Sequence, residues 1–350
     1  MSERLKIAFV DPASFTLAYD ANYVNALVDY VDVDFYCSET SYGIEHLEKI
    51  DSAVKINIFK VSGSITSRVV GLFSYFKMLT EIYLARDQYA AIHFNWSILP
   101  ILDSVLLPVI FGKKLIFTVH NFMPHNMAIQ RKGESRLRRK SRLVAVSDYV
   151  YRKLSDIYDD VFFLQHGTTT ARVMPSQVPP SRLLFIGRVV KYKGVHRFIN
   201  LARNWRGPEQ FEVWGKWDSE MLPLLPDAEC HAQVANGFLM TTEFEELFSQ
   251  PSALVVLPYD DISQSGVLYD VTSSCVPFIA SRRGGFIDFA EKLHISEVLF
   301  DPDDLQDMTR AARFAINNHL AIRQALYNSW CHYDWQYDVS YLDSLYNIAE

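Results

Sequence analysis

Cysteine is scarce in this chain: Cys37, Cys230, Cys275 and Cys331 are the four among 350 residues. None lies in a C-x-x-C pair or at ligand spacing from a histidine. That excludes a disulfide framework and a structural zinc, and it predicts reduced, mostly buried thiols in a cytoplasmic compartment. Positive charge is not in excess either. The 34 Lys and Arg fall short of the 41 Asp and Glu, and a net charge of −7 argues against a generic nucleic-acid binder. Long apolar runs are missing too. Met1-Ser2-Glu3-Arg4-Leu5-Lys6 leads straight into Ile7-Ala8-Phe9-Val10, without the apolar core of a signal peptide. The greasiest segment, Ser97 to Phe111, contains Pro100, Asp103 and Pro108 and is too short to span a bilayer. No transmembrane helix is expected, and membrane contact is confined to the periphery.

What the chain has is length, apolar residues and rings. At 350 residues, 49% of them hydrophobic, it predicts two domains of unequal size. Its 23 Phe, 19 Tyr and 6 Trp suit a large core or clefts that stack on sugars. Short β-branched or aromatic runs alternate with helical patterns. Strands are predicted over Leu5–Val10, Val33–Cys37, Ala91–Phe94, Lys114–Thr118, Leu143–Val146 and Val161–Leu164. After a break, strands are predicted over Leu183–Ile186, Phe211–Trp214, Ala232–Ala235, Leu254–Leu257, Pro277–Ala280 and Val298–Phe300. Alternation with helices implies parallel sheets, and near-continuous apolar runs imply sheets covered on both faces. The break, Arg172 to Ser181, carries three prolines in a polar stretch and reads as a linker. It divides the chain into residues 1–171, a linker 172–181, residues 182–334 and a final segment 335–350. In that last segment Trp335 to Tyr346 has aromatic and Leu residues at helical spacing. A capping box, Thr242-Glu243-Phe244-Glu245, marks one helix start.

The stretch Leu183-Leu184-Phe185-Ile186-Gly187-Arg188-Val189-Val190-Lys191-Tyr192-Lys193-Gly194-Val195 holds the strongest chemistry. A buried strand is broken by Gly187, Arg188 and Lys193 follow, and Gly194 opens a helical pattern. Backbone N–H groups and the helix dipole favour an anion there, and the two cations neutralise it. A strand-to-helix turn with two solvated cations is the alternative. The spacing G-R-x-x-x-x-K-G resembles the diphosphate-binding motif of retaining glycosyltransferases with the GT-B fold, especially glycosyltransferase family 4. That resemblance implies two Rossmann-like domains facing each other across a cleft, with the C-terminal helix crossing back to the N-terminal domain.

Other strand ends extend the resemblance, since ligands of open α/β sheets bind beyond the C-terminal ends of the strands. Leu257-Pro258-Tyr259-Asp260-Asp261-Ile262-Ser263-Gln264-Ser265-Gly266-Val267-Leu268-Tyr269-Asp270 occupies the place of a loop and helix where many family members carry two glutamates. Here Gln264-Ser265-Gly266-Val267-Leu268 stands for the first glutamate. Asp270 stands for the second, where a carboxylate accepts from ribose hydroxyls, and the amides of Ser265, Gly266 and Val267 would take phosphate oxygens. The bland alternative is an ordinary helix cap. Gly284-Gly285 matches the family's glycine turn near the donor sugar, with Gly285 assigned to donor binding.

In the first half, Asp11-Pro12-Ala13-Ser14-Phe15-Thr16 with Asp20, and Thr118-Val119-His120-Asn121-Phe122-Met123-Pro124-His125, resemble a bacterial subset of the family. The resemblance places His120 at the transferred sugar and Asp11, Thr16, Asp20, Asn121 and His125 on the acceptor side. Helix capping by Asp11 or Thr16 is an equal reading. Gln165-His166-Gly167 resembles the segment before the family's interdomain linker, with Gly167 permitting a tight turn.

Asp260-Asp261 reads as a solvated turn, so no metal and no cofactor is expected beyond the sugar nucleotide itself, a UDP- or GDP-sugar. The cation-rich segment 131–142 could rest on anionic lipid at the inner face of the membrane, hold a lipid-linked acceptor's diphosphate, or be a solvated helix face. The resemblance implies a metal-independent retaining glycosyltransferase with a saccharide or lipid-linked saccharide acceptor, placed in surface-polysaccharide biosynthesis. A sugar-nucleotide 2-epimerase of the same fold and a non-catalytic sugar-nucleotide-binding module remain open.

Overall fold

The computed structural model describes residues 4–39, 44–61, 65–122, 128–168, 172–227, 230–239 and 241–347. The chain divides into two compact units: Met1–Gly167 with Trp335–Glu350, and Thr168–Asp334. In the first unit the described strands are β1 (Lys6–Asp11), β2 (Asp32–Ser38), β3 (Lys55–Phe59), β4 (Ala91–Phe94), β5 (Leu115–Val119), β6 (Arg142–Ala145) and β7 (Val161–Phe163). They pair in parallel in the order β3-β2-β1-β4-β5-β6-β7. Its connecting helices are α1 (Leu17–Leu27), α2 (Ile65–Leu84), α3 (Pro100–Phe111), α4 (Ala128–Arg138) and α5 (Asp148–Ser155).

The second unit repeats the plan. Strands β8 (Arg182–Ile186), β9 (Gln210–Trp214), β10 (Ala232–Ala235), β11 (Ala253–Leu257), β12 (Phe278–Ser281) and β13 (Leu299–Phe300) lie parallel in the order β10-β9-β8-β11-β12-β13. Around them run α6 (Val195–Asn204), α7 (Thr241–Ser249), α8 (Gly266–Ser273), α9 (Gly284–Lys292), α10 (Leu305–Asn317) and α11 (His319–Ser329). In each sheet the strand order reverses beside the first strand, β1 or β8, the place where doubly wound sheets open a crevice.

Alternate residues of β1 feed opposite layers: Ile7 and Phe9 join one core cluster, Ala8 and Val10 another. That is the signature of a sheet buried on both faces. Every predicted strand is present within two residues of its predicted ends. The edge strand β3 is an addition. Its sequence, Lys-Ile-Asn-Ile-Phe, alternates and is half exposed, so it lacks the apolar run of its neighbours. Helix α7 starts at Thr241, one residue before the capping box. Residues 172–181 have no regular secondary structure but are fastened to the second unit. The Val173 amide donates to the Ser273 carbonyl at 2.8 Å, and Arg172 lies over the rings of Tyr327 and Trp330. Cys37, Cys230 and Cys275 are buried, and Cys331 is exposed.

The last helix, α12 (Val339–Tyr346), belongs to the first unit. Leu342, Leu345 and Tyr346 enter the core beside β1. The Tyr346 hydroxyl meets that of Tyr23 at 2.7 Å and Nδ1 of His93 at 3.1 Å, while His93 Nε2 lies 2.7 Å from Thr118 Oγ1. Burial pushes His93 down to about 3, so it is a neutral bridge between the sheet and the helix. Gly167 is needed for a reason other than a tight turn. A Cβ there would lie 2.6 Å from the Trp335 indole, so glycine makes room for that ring.

Replacing Tyr346 with Phe strands the buried His93 and Tyr23 polar atoms. The expected loss is about 1–3 kcal/mol, read from urea unfolding. An unchanged midpoint would show that the hydroxyl does not fasten α12.

Candidate functional site

In the second unit, β8 ends at Gly187, whose φ of 103° only glycine adopts readily. The amide of Gly187 donates to the Trp214 carbonyl at 2.9 Å, which holds the turn against the end of β9. A Cβ on Gly187 would lie 3.2 Å from Lys193 Nζ and 3.9 Å from Val267 Cγ2. The missing side chain therefore seats the Lys193 ammonium beside the start of α8. The ammonium also lies 5.4 Å from the Tyr259 ring centre. Desolvation, opposed by Tyr192 and reinforced by Arg188, lowers its pKa. Lys193 has no carboxylate partner among the described residues.

Between Gly187 and α6 runs a single tight turn, Lys191–Lys193, closed by Gly194 in the left-handed region. The first turn of α6 faces the Pro258–Asp260 strand end: Arg197 pairs with Asp260 at 2.5 Å and Asp303 at 2.9 Å. Asp260 is thus one half of an ion pair with Arg197. The helix start open beside Lys193 is that of α8. A Cβ on Gly266 would meet nothing within 4 Å, and Ser265, its N-cap, makes no side-chain cap bond. The first amides of a helix lack intrahelical partners, so Gly266 and Val267 present N–H groups and the positive end of the helix dipole. Asp270 lies one turn further on and is buried.

Arg188 is mostly exposed and forms a two-pronged pair with Asp218, at 2.9 and 2.8 Å. Gln264 is half buried in the loop before α8. The amide of Gly285 donates to the Ile262 carbonyl at 3.1 Å, so the glycine pair fastens α9 to that loop. Gly187, Lys193, Gly266 and Val267 are therefore gathered. Arg188 flanks them, Asp270 sits further along the same helix, and Gly285 acts on the loop's backbone.

In the first unit a second constellation forms at the ends of β1, β4 and β5. Asp11 Oδ1 accepts from the amides of Ala13 and Ser14, at 3.1 and 2.9 Å, so it does cap the turn after β1. Asp20 is buried beside it, and Oδ2 of each carboxyl has no hydrogen-bond partner, so a proton held by the pair would satisfy both. Burial raises both above the ordinary carboxylate range, and two adjacent carboxyls in so dry a place share a proton rather than both ionise. Asn95 Nδ2 donates to Asp20 Oδ1 at 2.7 Å, which leaves its Oδ1 to accept from His120 Nε2 at 2.7 Å. His120 is pushed down to about 3 by burial and by neighbouring His166 and His93. It is a neutral imidazole with its proton on Nε2, so Nδ1 carries the lone pair.

Thr16 precedes α1 but makes no side-chain cap bond. Its hydroxyl accepts from Trp96 Nε1 at 3.0 Å and Asn95 Nδ2 at 3.3 Å. Trp96 stacks on His120 at 4.3 Å and 7°, and exposed Phe15 stands edge-on to Trp96 at 6.1 Å. Tyr19 packs against His120, His166 and Trp335. Asn121 is half buried, and its carbonyl accepts from Arg138. His125 lies outside the described residues. Asn95 and Trp96, which organise His120, carry no motif and were legible only as residues following the Ala91–Phe94 strand.

The cation-rich segment is corrected in part. Arg138 is buried and donates to the carbonyls of Asn121 and Phe122, and Arg142 donates to those of Ser344 and Leu345. Among the described side chains of the segment, Lys132, Arg136, Arg139 and Lys140 are exposed.

No family model matches the chain, and no curated protein matches it by sequence. Solved structures do. The Anabaena HepE protein in complex with UDP is 10% identical, with 98% of each chain covered and a TM-score of 0.70. Sucrose-phosphate synthase from Thermosynechococcus elongatus is 15% identical over 98% of each chain at 0.73. WaaG, a glycosyltransferase involved in lipopolysaccharide biosynthesis, is 11% identical over 98% of this chain and 100% of its own at 0.68. The chain therefore has the GT-B fold of these proteins, two parallel-sheet α/β units.

The carboxyl pair makes a signed prediction. The folded chain holds a proton there that an unfolded chain loses above about pH 4. Its contribution to stability is thus greatest below that pH and falls as pH rises toward the raised folded values. Asp20→Asn supplies the shared hydrogen without titrating. The variant should be at least as stable as the parent at pH 7, with its advantage disappearing near pH 4. A parent clearly more stable at pH 7 would contradict proton sharing.

Proposed function

We propose that this chain is a retaining glycosyltransferase of the family 4 type, which moves a sugar from a nucleoside-diphosphate sugar to a saccharide or lipid-linked saccharide in surface-polysaccharide biosynthesis. The observation that carries the reading is the Lys193 ammonium, seated on Gly187 beside the open start of α8 without a carboxylate partner among the described residues. A half-buried cation beside the open amides of a helix start is a ready place for an anion. A diphosphate has the charge and the oxygens to use both.

Departure of the diphosphate builds negative charge, which Lys193, Arg188 and the amides of Gly266 and Val267 would stabilise without reorganising. Arg188 would exchange one or both of its bonds to Asp218 for phosphate oxygens. In front-face attack the bond from the acceptor oxygen to the anomeric carbon forms as the bond to phosphate breaks, and a phosphate oxygen takes the acceptor proton. No protein nucleophile and no metal are then required. Asp270 is assigned to the ribose, and Gln264 and Gly285 to the donor side. His120, Asp11, Thr16, Asp20, Asn121 and His125 are assigned to the sugar and acceptor. UDP-sugars are favoured as donors because HepE structures hold UDP and UDP-glucose.

The test is thermal stabilisation by UDP-, GDP-, ADP- and CMP-sugars without metal. One nucleotide class should raise the melting temperature, by an amount equivalent to about 2.7 kcal/mol at a hundredfold excess over Kd. Lys193→Ala should abolish most of that shift and, once an acceptor is found, lower the rate on the order of a hundredfold. No shift with any class, or an undiminished shift in Lys193→Ala, would overturn the donor site.

A further inference from the structure

The outer face of α3 is apolar where a helix on a water-facing surface is polar. Every exposed residue of α3 is apolar: Ile101, Leu102, Val105 and Val109, the last 75% exposed. Ile101, Val105 and Val109 recur every four residues and make one stripe. The helix's single charged residue, Asp103, points inward. It accepts from Tyr75 of α2 at 2.8 Å, from Ser97 at 2.7 Å and from the Leu99 amide at 3.0 Å. The Tyr75 bond ties α2 to α3. On α2, Val69, Phe73 and Phe76 are exposed as well, Phe73 at 73%, alongside polar Lys77, Thr80 and Glu81. Helices this apolar on their open side mark an interaction surface rather than scattered exposed residues.

Charge identifies the occupant. Helix α4 closes on the first turn of α3, since a Cβ on Gly133 would lie 2.5 Å from the Pro100 carbonyl carbon. Gly133 and Leu137 are buried, whereas Lys132 and Arg136, followed by Arg139 and Lys140, are exposed. Exposed Lys113 stands just past the other end of α3. In a chain of net charge −7, cations thus collect at both ends of its most apolar outer helix. Among the described residues, no helix is long and apolar enough to cross a membrane. An apolar stripe flanked by cations suits lying in the headgroup region of an anionic bilayer.

We propose that α2, α3 and α4 form a docking face for an anionic lipid bilayer, with Phe73, Val105 and Val109 entering the headgroup–acyl boundary and the α4 cations meeting lipid phosphates. This face is independent of the donor-site reading. If the acceptor is lipid-linked, docking brings the chain to it.

The test is flotation of the full chain with vesicles of phosphatidylcholine alone and of phosphatidylcholine mixed with phosphatidylglycerol. Binding should favour the mixed vesicles and weaken with salt. The exposed double variant Phe73→Asp/Val109→Asp should lose at least about tenfold in partitioning. Arg136→Glu/Arg139→Glu should lose about fivefold or more per cation. Both should keep the parent's melting temperature and its response to sugar nucleotides, which separates this proposal from the donor site. Absence of binding to either vesicle, or binding indifferent to both variants, would overturn it. So would a wild-type dimer that ignores vesicles and dissolves in Val109→Asp, because a second copy would then be the occupant.

Discussion

The second unit is organised around a cation that its own residues do not neutralise. Lys193 is half-buried, and that burial lowers its pKa. Carboxylates abound in this acidic chain, yet the neighbouring ones are committed elsewhere: Asp218 to Arg188, and Asp260 and Asp303 to Arg197. Those pairs have a second effect, since they keep negative charge away from the space between Lys193 and the start of α8. The turn at Gly187 makes the arrangement possible, because any side chain there would press on the ammonium. Backbone geometry, charge placement and the proposed chemistry are thus one constraint seen at three levels.

The first unit solves a different problem. At the ends of β1, β4 and β5 it buries Asp11, Asp20 and His120, and it does so by keeping charge off them. Asp11 and Asp20 share a proton, Asn95 passes the hydrogen bond on, and His120 ends the chain as a neutral ring clamped by Trp96. Such a relay fixes which imidazole nitrogen holds the proton, a positioning role rather than a charge-supplying one. His93 uses the same device against the same helix, α1, where Tyr346 of the last helix supplies the partner. The C-terminal segment is therefore part of the first unit's polar interior as well as its apolar core.

Much of this was legible in the chain. Apolar runs located the buried strands because both faces of each sheet are covered, and β3 escaped because an edge strand has no such run. Gly187 and Lys193 were readable because a glycine after a strand and a following cation have few other uses. Asp218, Asn95 and Trp96 were not. Their partners lie 30, 25 and 80 residues away, and no local spacing marks them. Charge alone misled at Arg138 and Arg142, where the side chains turn inward to backbone carbonyls. The apolar face of α3 was read as a greasy segment too short to span. Only its exposure reveals a surface.

The most direct measurement is a crystal structure of the chain grown with UDP-glucose and without added divalent metal. The account predicts a diphosphate within hydrogen-bonding distance of Lys193 Nζ and of the amides of Gly266 and Val267, with Asp270 on the ribose. A nucleotide bound elsewhere, or one that enters this site only with a metal between Asp260 and Asp261, would contradict it.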